Sequence, residues 1–198
     1  PDDHLTNGTY AYLVITADKG LAGAYNHNVI KETVRMLHEH SDAKLFVVGE
    51  YGRHYCQYHN IPIEQNFIYT AQNPTLHRAR EISDALLGLF NENKLKKIYV
   101  IYTDYARRGE PVVCSTRILP FHHMQFDTPT DEKLVNTPFS FVPSVEKVLE
   151  NMVSSYVTGF IYSALTDSFC CEQNARMVAM DAANRNAQKI LEELSVHY

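Results

Sequence analysis

The sequence predicts an α/β fold: an open, mostly parallel sheet flanked by helices, continued by one long C-terminal helix. Three observations predict it. Between Tyr10 and Leu119, short β-branched and aromatic runs alternate with segments of helical periodicity, the pattern of βαβ units. The last strand-like run follows its predecessor after a few residues, too few for a parallel crossover. From Ser144 to Tyr198 there is no proline, and apolar or small residues recur every three or four positions.

Residues 10–17 (YAYLVITA) read as a buried strand, being short and rich in β-branched and aromatic residues. A loop follows, Asp18-Lys19-Gly20-Leu21-Ala22-Gly23-Ala24-Tyr25-Asn26. Asn26 is of the type that caps a helix, here one running to about His40 with Val29, Ile30, Val34 and Leu37 on its apolar side. Residues 44–49 (KLFVVG) form a second strand, residues 51–59 a short helix and residues 66–70 an edge strand. Residues 74–91 fit a helix with Ile82, Leu86, Leu89 and Phe90 on one side. Residues 97–103 (KIYVIYT) are a strong strand. Pro111–Leu119 is the final one, ended by Pro120 and expected antiparallel. The whole is a Rossmann-like central domain over residues 1–143, closed by an irregular connection at 121–143 with Pro129, Pro138 and Pro143.

Residues 144–198 change character. Ser144 is a suitable N-cap, and the stripe runs through Val148, Met152, Val153, Tyr156, Val157, Phe160, Ile161 and Leu165. It resumes at Ala175, Val178, Ala179, Ala182, Asn186, Ile190 and Leu194. A continuous helix here has about 50 residues and spans ~75 Å, against roughly 35–40 Å across a compact body of some 140 residues. Gly159 weakens it by about 1 kcal/mol without breaking it. The distal half is alanine-rich and follows the spacing of a coiled-coil seam. Two readings stay open: a seam whose partner helix lies elsewhere, or a break near Gly159 or Thr166 that folds the helix back across the sheet.

The composition is that of an ordinary globular chain, with 45% hydrophobic and 21% charged residues. A net charge of −5 speaks against nucleic acid as a partner. No apolar run reaches the ~20 residues of a membrane span, and no signal peptide is legible. The sequence opens on Pro1 rather than Met, which predicts that its natural start lies upstream. Cys56, Cys114, Cys170 and Cys171 lack the paired spacing of a zinc site and read as reduced thiols. Among ten histidines, His122 and His123 are adjacent, so on a strand they face opposite ways. No metal or cofactor is expected.

Gly20 and Gly23 open a helix, and glycine-rich loops at helix starts bind phosphates. Yet the loop is neither G-x-G-x-x-G nor a P-loop with Gly-Lys-Ser/Thr. The structural reading is a tight turn in which the glycines supply unusual backbone angles, with Asp18 and Lys19 ordering it. Glu172 and Arg176 lie four apart and can pair along a helix, worth only about 0.3–0.5 kcal/mol if exposed. No catalytic dyad can be argued from spacing.

Two segments resemble the gamma subunits of F-type ATP synthases. VITADKGLAGAYNHN (residues 14–28) resembles that family's strand running into Ser/Ala-Asp-Lys/Arg-Gly-Leu-x-Gly-x-x-Asn. SALTDSFCCEQNARMVAMDAANRNAQKILEEL (residues 163–194) resembles its C-terminal Ser-Glu-Gln-x-x-Arg-Met-x-Ala-Met followed by Ala-x-x-Asn-Ala. Cys171 replaces the usual small residue before Glu172, and Asn174 stands where Ala is common. The family's N-terminal helix and last C-terminal turns are missing from the sequence, and with them the mate of the coiled-coil seam. The cysteine-bearing insert of chloroplast members is absent too, which implies a bacterial origin.

The resemblance implies a non-catalytic rotor stalk that couples proton-driven rotation to ATP synthesis. The implied partners are the alpha, beta and epsilon subunits and the membrane c-ring, at the cytoplasmic face of a bacterial membrane. It implies that Glu172, Gln173 and Arg176 face the catalytic beta subunits, and that Asp18, Gly20, Gly23 and Asn26 form a structural loop. The rival readings are a nucleotide-binding α/β enzyme using the Gly20–Gly23 loop, and a homodimeric coiled-coil adaptor using residues 144–198.

Overall fold

The computed structural model describes residues 8–120 and 144–197. In chain order they form β1 (Thr9–Ile15), α1 (Tyr25–Glu39), β2 (Lys44–Val48), α2 (Glu50–Tyr58), α3 (Leu76–Asn91), β3 (Leu95–Tyr105), β4 (Pro111–Leu119) and α4 (Val145–His197). The sheet order is β2-β1-β3-β4. β1 runs parallel to both neighbours, and β4 returns antiparallel to β3, as the short connection requires. The connection at 121–143, with His122 and His123, lies outside the described residues.

Alternation along β1 builds the layers, because successive side chains point to opposite faces. Ala11, Leu13 and Ile15 enter a core with Ala79, Ile82 and Leu86 of α3 and Val157, Ile161, Ala164 and Leu165 of α4. Tyr12 and Val14 join Val29 and Met36 of α1 and Cys56 of α2 on the other face. α3 and α4 therefore cover one face of the sheet, and α1 and α2 the other.

Two sequence expectations are corrected. Residues 66–70 form no edge strand; they make a single parallel bridge, Val48 to Tyr69. Phe67 turns into the core edge-to-face with Phe46, ring centroids 5.4 Å apart, and the N–H groups of Ala71 and Gln72 go to Asp18 instead of a ladder. Asn26 does not cap α1, whose N-cap is Ala24 without a side-chain hydrogen bond. Asn26 sits inside the first turn, where its side chain is spent on the preceding loop.

α4 is one helix of 53 residues, about 80 Å long at 1.5 Å per residue. It passes through Gly159 and Thr166 without a break, so it does not fold back. The hydroxyl of Ser144 accepts from the Lys147 N–H at 3.4 Å, the bond of an N-cap. The buried positions Val157, Ile161, Ala164, Leu165, Ser168, Cys171 and Glu172 keep helical spacing and face the body. From 181 to 197 every residue is exposed, Ile190, Leu191 and Leu194 among them. No described helix is long and apolar enough to cross a membrane.

Candidate functional site at the junction of loop and long helix

β1 ends where its backbone partners change. The Thr16 N–H still donates to Val48 O at 2.9 Å. The Ala17 N–H donates to Asn26 Oδ1 at 2.9 Å, and Asn26 Nδ2 donates to Lys19 O at 3.5 Å. Asn26 is buried, and it ties the strand end to the loop from inside the helix that follows.

Thr16 fixes α2 beside the strand. Its hydroxyl donates to Val48 O at 2.8 Å and accepts from the Gly52 N–H at 3.1 Å. A Cβ on Gly49 would lie 2.4 Å from Thr16 O, and one on Gly52 would lie 2.6 Å from Thr16 Oγ1. Only glycine permits this approach, which the spacing of Gly49 and Gly52 next to a strand could have signalled.

Asp18 joins three segments. Its carboxylate accepts from the N–H groups of Glu50, Ala71 and Gln72. The first of these opens α2, where the helix dipole favours a negative charge.

Within the loop, Gly23 has φ 56°, as the tight turn predicts. Gly20 does not take a left-handed conformation; Leu21 does, with φ 60° and 83% exposure. The left-handed turn thus falls on a bulky residue facing solvent.

α4 reaches this loop through Glu172 and Arg176. Arg176 Nη1 donates to Glu172 Oε1 at 2.8 Å, and Nη2 donates to Lys19 O at 3.3 Å and Gly20 O at 3.4 Å. Glu172 is 1% exposed, so the pair is not the solvated one that an i,i+4 spacing suggests. Burial pushes the Glu172 carboxyl above the usual carboxylate range, against the pull of Arg176. Gln173 is half-buried beside them. Ala17, Ala22, Tyr25 and Cys171 close a small apolar cluster there.

One turn earlier, Ser168 Oγ accepts from the Thr103 N–H at 3.1 Å and donates to Thr103 O at 3.4 Å. The helix is thereby bonded to the end of β3. Tyr25 is buried against the same groups, and its phenol is pushed well above the ordinary value by that burial.

The arrangement turns the carbonyls of Lys19 and Gly20 toward a guanidinium, whereas a phosphate cradle presents N–H groups. Two clefts among the described residues lie elsewhere. One, of about 520 Å³, is lined by Leu37, Lys44 and Ile63. The other, of about 640 Å³, is lined by Leu87, Phe90 and Leu149. All four cysteines are free thiols, and among the described residues no three His, Cys, Asp or Glu side chains gather as a metal site requires.

The family model described as ATP synthase matches residues 2–198. The ATP synthase gamma chain of Acetivibrio thermocellus is 36% identical over 202 residues, covering 99% of this chain and 68% of that protein. The chain belongs to the ATP synthase gamma chain family. The gamma chain of Ruminiclostridium cellulolyticum is 36% identical over 191 residues, covering 95% of this chain and 65% of that protein. The chain thus spans about two thirds of the length of these relatives. The central stalk of the Tetrahymena thermophila mitochondrial ATP synthase shares the fold with a TM-score of 0.69 at 22% identity, covering 90% of this chain and 78% of that one. The rotor of the Euglena gracilis mitochondrial enzyme does so with 0.67 at 14% identity, covering 100% and 75%.

Proposed function

We propose that this chain is the central body and C-terminal helix of a gamma subunit, the rotor stalk of an F-type ATP synthase. It couples proton-driven rotation to ATP synthesis at the catalytic beta subunits and has no catalytic site of its own. One observation carries this reading: α4 leaves its body beyond Arg176, and from residue 181 to 197 every residue is exposed, with Ile190, Leu191 and Leu194 in solvent. An apolar seam in water asks for a partner, and 3–4 spacing asks for a helix. That helix is assigned to the part of the same protein preceding Pro1, with residues 144–198 as the other half of the coiled coil and residues 1–143 as the foot.

In physical terms the shaft binds the open and closed states of the catalytic sites unequally and so shifts their equilibrium as it turns. A close-packed foot suits the load, because dense interiors transmit strain. The loop at residues 18–23 and Glu172, Gln173 and Arg176 sit at the collar where shaft meets foot, and this collar is assigned to the beta subunits. The epsilon subunit and the c-ring are assigned to the foot. The chain is peripheral on the cytoplasmic face of a bacterial membrane, held there through the complex.

The test is co-expression of the full-length protein with alpha and beta subunits of a bacterial enzyme. A stable complex whose ATP hydrolysis turns a probe attached to the foot is expected. Failure to assemble, together with micromolar binding of ATP or NAD at the Gly20–Gly23 loop by calorimetry, would replace the rotor with a nucleotide-binding enzyme.

A further inference from the structure

We propose that one bound water molecule seats α4 on the body, bridging Glu172 Oε2 of the helix and Thr103 Oγ1 of β3 beside the hydroxyl of Tyr25. Topology sets the place. β1 leads through α1 to β2 on one side, while β3 pairs on the other. The strand order therefore reverses between β1 and β3, whose last paired residues are Val14 and Ile101. Open α/β sheets hold their ligands in the crevice outside the carboxyl ends of the strands at such a point. Here α4 crosses it. Ser168 Oγ takes both the N–H and the carbonyl of Thr103, at 3.1 and 3.4 Å.

Two polar side chains enter this crevice from different walls and keep an oxygen unspent. Glu172 is 1% exposed and Thr103 3%. Arg176 Nη1 donates to Glu172 Oε1 at 2.8 Å. Among the described residues, neither Glu172 Oε2 nor Thr103 Oγ1 has a hydrogen-bond partner. Tyr25, itself buried, sets its phenol within reach of Glu172, Ser168 and Thr103. Buried polar atoms in native proteins are almost always bonded, to protein or to ordered water. Polar groups that face one another without bonding directly are those that a water spans, and a buried water typically has about three partners. The chemistry fits: the water donates to the Glu172 carboxylate and shares hydrogen bonds with the hydroxyls of Thr103 and Tyr25. A cation is not called for, because Glu172 already has Arg176 as its counter-charge. The three partners belong to α4, β3 and α1, so one water ties the long helix to the sheet and to the helix on its opposite face. The site lies wholly within this chain and does not depend on the rotor reading.

Oxygen-17 relaxation dispersion on the full-length protein tests this, since it counts waters held longer than the protein takes to tumble. Thr103→Val keeps the shape of the side chain, removes the hydroxyl and is expected to lower the count by one. Thr103→Ser returns the hydroxyl and should restore the count. Equal counts in wild type and Thr103→Val overturn the proposal. If Thr103→Val fails to fold, a crystal structure of the wild type decides. One solvent peak bonded to both Glu172 Oε2 and Thr103 Oγ1 is expected there; a dry junction, with Tyr25 bonded directly to Glu172, overturns the site. Wild type melted in sodium, potassium and ammonium chloride at equal ionic strength should show one midpoint. A midpoint raised by one of these cations means that the cation, and not water, fills the crevice.

Discussion

The carboxylate of Asp18 accepts from the N–H of Ala71 at 3.0 and 3.1 Å across 53 residues of sequence. With Glu50 and Gln72 it gathers the end of β1, the start of α2 and the turn before α3 onto one side chain. Asp18→Ala leaves those donors without their acceptor. Bonds to charged groups are worth more than neutral ones, and the site is half-exposed, so the expected loss is about 2–3 kcal/mol. Asp18→Asn keeps one acceptor and loses less. Urea denaturation of the two variants checks the order; equal, negligible losses would remove Asp18 from its structural role.

The glycines of the motif should separate by mechanism. Gly23→Ala meets no atom within 4 Å, but φ 56° resists a side chain, at about 1 kcal/mol. Gly20→Ala has ordinary backbone angles and only the Tyr51 ring at 3.7 Å, so it stays within about 0.5 kcal/mol. Gly52→Ala drives a methyl into Thr16 and Val47, whose nearest atoms lie 2.6 to 2.8 Å away, and loses more than about 2 kcal/mol. Thermal midpoints of the three variants read the ranking directly.

Glu172 gives a dependence on pH with a defined sign. Burial raises its carboxyl in the folded protein above the unfolded value. The stability it contributes is then fully present below the unfolded carboxylate pKa and is lost as pH rises through the folded one. Glu172→Gln removes that slope. Wild type should lose ground against the variant as pH rises above the ordinary carboxylate range in melting experiments at matched ionic strength; parallel curves would contradict the buried placement.

The elements that carry their own signal were legible from residues alone. The runs YAYLVITA and KIYVIYT read as buried strands because they are apolar on both faces, and the short link to Pro111 forced an antiparallel return. The length of α4 followed from an unbroken period and the lack of proline. What escaped depends on partners distant in sequence. Nothing local says that Asn26 bonds backward to Ala17, that Asp18 reaches Ala71, or that the Glu172–Arg176 pair is roofed by the loop at residues 19–20. The 3.6 period gives the spacing of that pair but not which surface covers it.

The cysteines should react in the order of their exposure and ionisation. Cys170 is exposed and Cys171 is buried, its thiol pushed up to about 11 chiefly by desolvation. Cys56 is buried and likewise raised to about 11. At pH 8 roughly one such thiol in a thousand is ionised, and the thiolate is the reactive form. Maleimide should therefore label Cys170 first in the native protein, Cys114 more slowly, and Cys56 and Cys171 only on unfolding. Tandem mass spectrometry resolves the adjacent pair, and early labelling of Cys171 would mean that this stretch of α4 is not seated on the body.

Two truncations on the same helix separate what α4 does for its own body from what it offers outward. Ile161 is fully buried against the sheet, whereas Leu191 is 65% exposed. Ile161→Ala removes core contacts and leaves a cavity, an expected loss of about 2–5 kcal/mol. Leu191→Ala trims a largely exposed side chain and should change stability by less than about 0.5 kcal/mol. In the full-length protein the second comparison should reverse, because a seam residue is buried once its partner helix is present. Leu191→Ala must then cost several times what it does in the 198-residue chain. Equal effects of Leu191→Ala in the two lengths would mean that the exposed half of α4 finds no mate within its own protein.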